Sequence, residues 1–388
     1  MELLDILEKL SITQARLIAS IPEKLRSFIS SHSLQGKRGF LVMGPRGVGK
    51  TTLLLHESTK GKILYVSADN PIISQVTISD LAEICFGNGY EGIIIDEVHY
   101  TKDWSIHVKS IYDNFPKKTI WISDSSSLIL RKSTRDLNRR FPKLFVPFLS
   151  FREYLELKNG LKIKQFDPFV SHKDVFKEVI DSINIFESFK KYKMEGFRPI
   201  FLEGDYIDKI LGIIEKTIFS DVPFFVPRIQ ENHLRLMNAI IGYLATSSIP
   251  TLNIDSFASK WAVGKEKLYK LIDVLEHVGL INIVRFQKDF HVSGKGAKIF
   301  FADPSMYFAL SGDIGNVREA FVTMMFRQLG KEIYAYKEEQ KADFVVEKMT
   351  LEIGGPSKSP KGADFVLRDD IDMPGNRIIP LWSLGMMY

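Results

Sequence analysis

The residues best suited to chemistry form a glycine-rich loop that matches the pattern G-x-x-x-x-G-K-[ST]. The loop and its next residue are Gly44, Pro45, Arg46, Gly47, Val48, Gly49, Lys50, Thr51 and Thr52. In such a loop the backbone N–H groups surround phosphate oxygens, and the start of the following helix adds partial positive charge. Lys50 is expected to neutralise the β- and γ-phosphates, and the Thr51 hydroxyl to ligate Mg²⁺. The segment predicts ATP binding with Mg²⁺; the alternative is a glycine-rich turn without a ligand.

A pair of acids, Asp96 and Glu97, follows the apolar run Gly92-Ile93-Ile94-Ile95. In P-loop NTPases the first acid after such a strand supports Mg²⁺, so Asp96 is a candidate metal ligand. An adjacent glutamate can polarise the attacking water, which makes Glu97 a candidate general base. Two solvated acids at the end of a strand are the alternative. Together with the loop, the pair favours ATP hydrolysis over nucleotide storage.

Small hydroxyl residues follow another apolar run, Ile120-Trp121-Ile122. Ser123 or Ser125 is expected to lie between the Asp96 strand and the γ-phosphate, as a sensor of that phosphate. An ordinary serine-rich turn explains the same residues equally well. Both interpretations stay open at this stage.

A basic run comes next, with a single acid, Asp136, inside it. Its members are Arg131, Lys132, Arg135, Arg139, Arg140 and Lys143. One interpretation is a solvated helix face. A second is that Arg140 or Arg139 acts as an arginine finger on a γ-phosphate, in cis or across a subunit boundary. A third is contact with the phosphate backbone of a nucleic acid.

The elements that position these residues are short apolar runs bounded by turn residues, from Gly39-Phe40-Leu41-Val42-Met43 onward. Runs rich in β-branched residues suit strands that are covered on both faces. Each pair of runs is separated by enough chain for a crossover helix. The fold class predicted is therefore α/β, with a parallel sheet flanked by helices.

The composition sets limits on the whole chain. The 388 residues predict about two to four domains, and 45% hydrophobic with 26% charged residues is typical of a globular protein. A net charge of +5 permits nucleic acid as a partner, and the single Cys85 excludes a disulfide framework. The acidic start lacks the features of a signal peptide, and the uncharged stretch 236–254 is too polar to span a membrane. A cytoplasmic protein without membrane contact is expected.

Several motifs together resemble one bacterial and archaeal family of AAA-type P-loop ATPases with a C-terminal domain of unknown function. They are GPRGVGKTT, IIIDEVHYTKDW, ISDSSSLIL and LNRRFPKLFVPFLSFREYL, followed by EGFRPIFLEG, KIFFADPSMYFALSG, REAFV, KADFVV and LEIGG. The resemblance implies an ATPase core, a winged-helix segment and a part similar to restriction-endonuclease-like folds. It also gives the arginine role to Arg140. The sequence departs from the family where Arg139 and Asp124 replace its usual glycines.

The residues after about 230 independently suggest a winged helix. Three helices are predicted over 236–245, 257–263 and 265–277, followed by a strand over 280–284. Lysines are frequent in the third helix and the following hairpin: Lys265, Lys267, Lys270, Lys288, Lys295 and Lys298. They could contact DNA phosphates. Protein docking and an intramolecular latch are the alternatives.

The last segment contains three acids, Glu319, Asp343 and Glu352, that a metal-dependent nuclease fold would bring together around Mg²⁺. Such a site normally has a lysine two residues after the last acid, where this chain has Gly354. Lys358 is near but out of register. A catalytically inactive nuclease-like scaffold is favoured over an active nuclease, and scattered surface acids are a third interpretation.

Five segments are predicted: an N-terminal helical segment (1–37), the ATPase core (38–160), a helical lid or linker (161–228), the winged helix (229–296) and the nuclease-like domain (297–388). The favoured hypothesis is a Mg²⁺-dependent ATPase that couples ATP binding and hydrolysis to domain rearrangement on DNA or a DNA-bound partner. The alternatives are a slow-turnover signalling switch with a protein partner and an ATP-gated nuclease. Action of Arg140 in trans would require a homo-oligomer.

Overall fold

The computed structural model describes residues 3–127, 135–226, 228–248, 250–251, 253–287, 297–338, 341–360 and 362–388. The chain divides into two compact units, the first made of residues 1–147 and 221–227, the second of 148–220 and 228–388. Arg131 and Lys132 of the basic run, and Lys288 and Lys295 of the predicted wing, lie outside the described residues. Within the described ranges, no helix combines the length and the apolar character needed to cross a bilayer.

The first unit is built on a parallel sheet. Its strands are β1 (Gly39–Met43), β2 (Ile63–Ser67), β3 (Gly92–Asp96), β4 (Thr119–Asp124) and β5 (Lys143–Phe145). Among the described residues they lie in the order β2-β3-β4-β1-β5, with every neighbouring pair parallel. The predicted α/β core of P-loop type is confirmed. The loop after β1 and the acids after β3 consequently lie at one edge of the sheet, where the carboxyl ends of the strands meet.

Helices cover the sheet and explain why its strands are apolar on both faces. Residues Ile93–Ile95 and Ile120–Ile122 are almost completely buried. The helices of this unit are Leu3–Ala19, Ser27–Ser31, Lys50–Ser58, Ile78–Gly87, Trp104–Asn114, Arg135–Arg140 and Val222–Phe225, with 3₁₀ turns at Pro71–Gln75 and Val98–Tyr100. The N-terminal helix Leu3–Ala19 packs against β2, and its Gln14 side chain donates to the carbonyl of Ile63 (2.9 Å) and accepts from the N–H of Tyr65 (3.0 Å).

The second unit begins with helices. They are Phe151–Asn159, Lys173–Ser182, Ile185–Glu195, Tyr206–Glu215, Glu231–Thr246, Ile254–Lys260, Lys265–His277, Ser305–Ala309 and Val317–Gln328, with 3₁₀ turns at Pro199–Glu203, Ile314–Asn316 and Leu381–Met386. A π-helical turn over Lys216–Asp221 leads the chain from this unit into the first. Ser150 and Glu153 form a capping box that fixes the start of Phe151–Asn159.

Three of these helices precede an antiparallel pair of strands, β6 (Ile281–Val284) and β7 (Lys298–Phe301). In chain order they are Glu231–Thr246, Ile254–Lys260 and Lys265–His277. The third helix, Lys265–His277, has the predicted bounds. The second begins three residues earlier than predicted, because the side chain of Asn253 caps it by accepting from the N–H of Ser256 (3.0 Å).

The remaining strands form a mixed sheet. They are β8 (Ile333–Ala335), β9 (Phe344–Val346), β10 (Met349–Gly354), β11 (Phe365–Arg368) and β12 (Ile378–Pro380). In the described part of the chain their order is β12-β11-β10-β9-β8; β8 to β10 are antiparallel, and β10 to β12 are parallel. Helix Val317–Gln328 contacts this sheet and is buried along most of its length.

A buried ion pair joins two loops of the second unit. Arg198 and Asp303 are in contact, with side chains 3% and 0% exposed. Asp303 also accepts hydrogen bonds from the N–H (2.8 Å) and hydroxyl (2.6 Å) of Ser305. The two residues come from the motifs EGFRPIFLEG and KIFFADPSMYFALSG, so the pair gives both motifs a structural role.

Candidate active site

The glycine-rich loop follows β1 directly and requires its glycines. Gly44 has φ +152°, and a Cβ atom there would lie 2.3 Å from the carbonyl oxygen of Val146. Gly47 and Gly49 also have positive φ, and Gly49 caps the helix that begins at Lys50. The loop therefore presents its backbone N–H groups and a helix start to the same space, as phosphate binding requires.

The Lys50 side chain folds back and hydrogen-bonds to the loop. Its ammonium group donates to the carbonyl oxygens of Gly44 (2.9 Å) and Pro45 (3.2 Å). Burial lowers the pKa of Lys50, although the charges of Glu97 and Asp96 partly oppose this effect. A buried ammonium group favours an anionic ligand, because the ligand supplies the charge that water would otherwise balance.

Thr51 and Asp96 are brought together, as the two motifs predicted. The Thr51 hydroxyl donates to Asp96 Oδ2 at 2.6 Å, and Asp96 is 2% exposed. Ser123 donates to the other carboxylate oxygen, and the Tyr65 hydroxyl donates to Oδ2 at 2.6 Å. Burial and the charge of Asp96 raise the pKa of Tyr65, which keeps the phenol a donor. The Thr51 hydroxyl oxygen and the Asp96 carboxylate oxygens are hard ligands of the kind that Mg²⁺ prefers.

Glu97 lies beside this pair in a left-handed backbone conformation, with φ +51°. Its Oε2 accepts from the Ser125 hydroxyl at 3.0 Å, and its N–H donates to the Ser123 hydroxyl oxygen at 3.2 Å. The structure therefore brings both predicted sensor serines to the two acids. A non-glycine residue at positive φ is uncommon, and such strain clusters at functional sites.

His99 is a site residue that the sequence analysis did not select. Its Nδ1 contacts Asp124 Oδ2 at 2.8 Å and is 3.6 Å from Glu97 Oε2. Burial alone would lower the pKa of His99, but the hydrogen bond and charge of Asp124 outweigh it and raise that pKa. Asp124 occupies the position at which the resembled family has glycine, and its carboxylate is hydrogen-bonded to the His99 imidazole. Ligand atoms of Glu97, His99 and Asp124 lie within 4.8 Å of one another, so they form a second potential cation site.

Asp221 also belongs to the site, although it is distant in sequence. It is 2% exposed and pairs through Oδ2 with Arg46 of the loop at 2.8 Å. Its Oδ1 accepts from the Tyr100 hydroxyl at 2.7 Å. No motif marks this aspartate, because only the fold places residues 221–226 in the first unit.

Arg140 does not lie at this site. Its guanidinium group pairs with Asp113 at 3.0 Å, and its carbonyl lies next to Gly39, at the start of β1. The loop follows the other end of that strand. The structure therefore contradicts the cis alternative for Arg140, whereas action across a subunit boundary stays a prediction. The neighbouring Arg139 is exposed.

The three C-terminal acids gather around two lysines in the second unit. Lys298 Nζ is 2.8 Å from Glu319 Oε2 and 3.4 Å from Asp343 Oδ1. The Lys358 side chain passes over Gly354 and pairs with Glu352. A Cβ atom at position 354 would lie 2.2 Å from the Cγ atom of Lys358. Burial raises the pKa of Glu319, and the charge of Lys298 partly offsets this effect. The interpretation as scattered surface acids is therefore wrong.

The lysines of helix Lys265–His277 are mostly paired with acids. Lys265 pairs with Asp255, and Lys270 pairs with Glu266 at 2.6 Å. Lys267 is partly exposed, and Lys298 faces the acids described above. The positive charge available to a polyanion on this helix is consequently smaller than the sequence suggests.

Comparison with known proteins gives a family match for one segment of the chain. Residues 36–155 match the model of an AAA domain. A protein of Methanocaldococcus jannaschii, described as the uncharacterized protein MJ1637, is 27% identical over 421 residues, covering 94% of this chain and 87% of its own.

Among solved structures, the Walker-type ATPase PABY2304 of Pyrococcus abyssi has 15% identity and a TM-score of 0.40, with 75% of this chain and 96% of that one covered. A point variant of RuvB from Thermotoga maritima has 16% identity and a TM-score of 0.32, with coverages of 76% and 91%. The AAA-domain match covers the segment that holds the loop and both acids, and it supports ATP hydrolase activity.

Proposed function

We propose that the protein is a Mg²⁺-dependent ATPase that couples ATP binding and hydrolysis to a rearrangement of its second unit on DNA or a DNA-bound partner. The observation that supports it best is the contact of Thr51 with Asp96 (2.6 Å), next to Glu97 and the loop. These residues supply a phosphate cradle, oxygen ligands and a base within one edge of the sheet.

The predicted site residues of the first unit each have a role in the proposed reaction. The loop N–H groups hold the phosphates, and Lys50 leaves the carbonyl oxygens of Gly44 and Pro45 to contact the β- and γ-phosphates. Thr51 and Asp96 would hold Mg²⁺, which when bound offsets the charge of the phosphate oxygens. Glu97 accepts a proton from water as the water oxygen bonds to the γ-phosphorus and the bond to ADP breaks. Ser125 holds Glu97 Oε2 in place.

Steady-state ATPase assays on the full chain test these roles. Lys50→Ala is expected to abolish ATP binding, because it removes the cation of the cradle. Glu97→Gln is expected to bind ATP but to lower turnover at least about a hundredfold, the usual contribution of a positioned base. Glu83→Gln, on an exposed helix position, is the matched control. A Glu97→Gln variant that hydrolyses ATP at the parent rate would falsify the assignment of the base.

For the rest of the chain, we propose a winged helix over 229–296 and a nuclease-like domain over 297–388. Support comes from the order of three helices before β6, and from the mixed sheet β8 to β12. The partner strand of β6, β7, begins at Lys298, two residues beyond the proposed end of the winged helix. Arg140 is proposed to act on the ATP of a neighbouring copy, which requires a homo-oligomer.

A slow-turnover switch with a protein partner is the second candidate. The pairing of Lys265 and Lys270 with acids favours it, since less positive charge faces a polyanion. Multiple-turnover ATPase rates with and without duplex, branched or single-stranded DNA separate the two candidates. Strong stimulation of ATP hydrolysis by DNA supports the DNA-coupled ATPase. Slow turnover that does not change when DNA is added supports the switch.

The C-terminal acids are proposed to form a catalytically inactive scaffold. Lys298 supplies a positive charge between Glu319 and Asp343, where a nuclease would hold its metal. Plasmid incubated with the protein, ATP and Mg²⁺ or Mn²⁺ is expected to stay intact. Cleavage that disappears in Glu352→Ala would instead support the ATP-gated nuclease.

A further inference from the structure

Asp221 reaches the active site from outside the segment that matches an AAA domain. Residues 36–155 contain the loop, Asp96 and Glu97, whereas Asp221 follows the helix Tyr206–Glu215 of the second unit. The chain enters the first unit at Asp221, and residues 221–227 belong to that unit. Asp221 thus brings into the site a carboxylate that the nucleotide motifs do not include.

Both oxygens of Asp221 are used. Oδ2 pairs with Arg46 (2.8 Å) and Oδ1 accepts from Tyr100 (2.7 Å). The side chain of Asp221 is 3% exposed and that of Arg46 is 17% exposed, so little water screens their pairing. A hydrogen-bonded pair of this kind fixes the direction of the guanidinium group.

The orientation of the Arg46 guanidinium group matters because a second carboxylate, that of Glu97, lies close to it. The same Nη2 atom that pairs with Asp221 is 4.0 Å from Glu97 Oε2. Without the charge of Asp221, Glu97 is the nearby carboxylate that can attract this atom. A guanidinium group bonded to Glu97 would occupy the oxygen lone pairs that must accept the proton of water.

Aromatic packing holds the Asp221 segment in place. The rings of Phe225 and His99 have centroids 4.9 Å apart, and those of Phe224 and Tyr100 are 4.7 Å apart. His99 and Tyr100 lie two and three residues after Glu97. The segment therefore packs on the residues that carry the candidate base, rather than on a remote part of the sheet.

We propose that Asp221 is a positioning residue for ATP hydrolysis. It takes the short hydrogen bond of Arg46 (2.8 Å), leaves only a long ion pair between Arg46 and Glu97 (4.0 Å), and so keeps the Glu97 carboxylate available to water. This inference rests on the proposed function, in which Glu97 is the base. It predicts an effect on turnover rather than on ATP binding, because neither Asp221 nor its hydrogen bonds involve the cradle's backbone.

The test compares Asp221→Asn with the parent in the full chain, using steady-state hydrolysis of Mg²⁺-ATP. We expect kcat to fall about tenfold, a part of the roughly 10²–10⁴-fold that a positioned base contributes, and KM to change less than about threefold. Arg46→Gln is measured alone as well, because Arg46 belongs to the ATP-binding loop. In that background, adding Asp221→Asn is expected to lower kcat less than about threefold, because the competing guanidinium group is gone. Asp208→Asn, on an exposed position, is the matched control.

Two results would overturn the inference: a parental kcat in Asp221→Asn, or a loss of kcat from Asp221→Asn that is as large in the Arg46→Gln background as in the parent. Thermal unfolding shows whether Asp221→Asn folds. If it does not, the double variant decides, and a kcat about tenfold or more below that of Arg46→Gln overturns the proposal. The parent and Glu97→Gln are measured first. A parent that does not hydrolyse ATP contradicts the proposed function, whereas a parent that does, with an unaffected Asp221→Asn, contradicts this inference alone.

Discussion

The buried pair of Arg198 and Asp303 gives a stability prediction whose size follows from its burial. Asp303→Asn keeps the shape of the side chain and one oxygen for Ser305, but it removes the carboxylate charge that faces Arg198. With side chains 3% and 0% exposed, solvent cannot replace that charge. Breaking a buried pair by removing one partner costs about 3–5 kcal/mol of folding free energy.

For a unit of this size, each kcal/mol shifts the unfolding temperature by about 2–4 °C, so Asp303→Asn should lower it by about 6–20 °C. Differential scanning calorimetry of the full chain measures the shift. Glu266→Gln, which breaks the exposed pair with Lys270, is the control and should leave the transition in place. An Asp303→Asn transition within about 2 °C of the parent would show that the pair is replaceable, contrary to this reasoning.

Three further predictions concern the two units. Gly44→Ala should weaken ATP binding at least tenfold in calorimetric titrations, because its Cβ would meet the Val146 carbonyl oxygen at 2.3 Å; Gly87→Ala, where a Cβ meets nothing within 4 Å, is the control. Mixing Lys50→Ala with Arg140→Ala should recover ATPase activity if Arg140 acts in trans, and a mixture without activity contradicts that role. Lys298→Met should raise the pKa of Glu319 further, because it removes the positive charge beside this carboxylate. A carboxyl group whose pKa is raised in the folded state stabilises the native state at low pH, and this contribution is lost as the pH rises. The unfolding temperature of Lys298→Met should therefore fall more between about pH 5 and pH 8 than that of the parent. An equal fall in both proteins would refute the coupling.

The sequence predicted what depends on local pattern. Strands β1 to β4 appear as apolar runs because both faces of a central parallel strand are buried. Thr51 and Asp96 meet because one motif follows β1 and the other ends β3, and these two strands flank β4 with their carboxyl ends at the same edge of the sheet. The serines of the sensor strand reach the acids for the same reason.

The rest depended on tertiary structure. Asp221 is one aspartate in a helical stretch, and nothing in its neighbourhood distinguishes it from Asp208. His99 could be noticed only for its place after Glu97, since its partner Asp124 comes from another strand. Arg140 was placed by analogy, and its pairing with Asp113 follows from the packing of helix Arg135–Arg140 on Trp104–Asn114. Lys358 is out of register along the chain, and Lys298 was predicted as a wing lysine, but both lysines meet the acids in space.

The division of the first unit into two pieces of chain has a consequence for its biosynthesis. A ribosome delivers residues 1–147 well before 221–226, with residues 148–220 of the other unit between them. Domains that are continuous in sequence can fold as soon as they emerge, but this one must wait for its last segment. Until then the rings of His99 and Tyr100 lack their contacts with Phe224 and Phe225, so the site where catalysis takes place is completed only after the second piece of chain has been made.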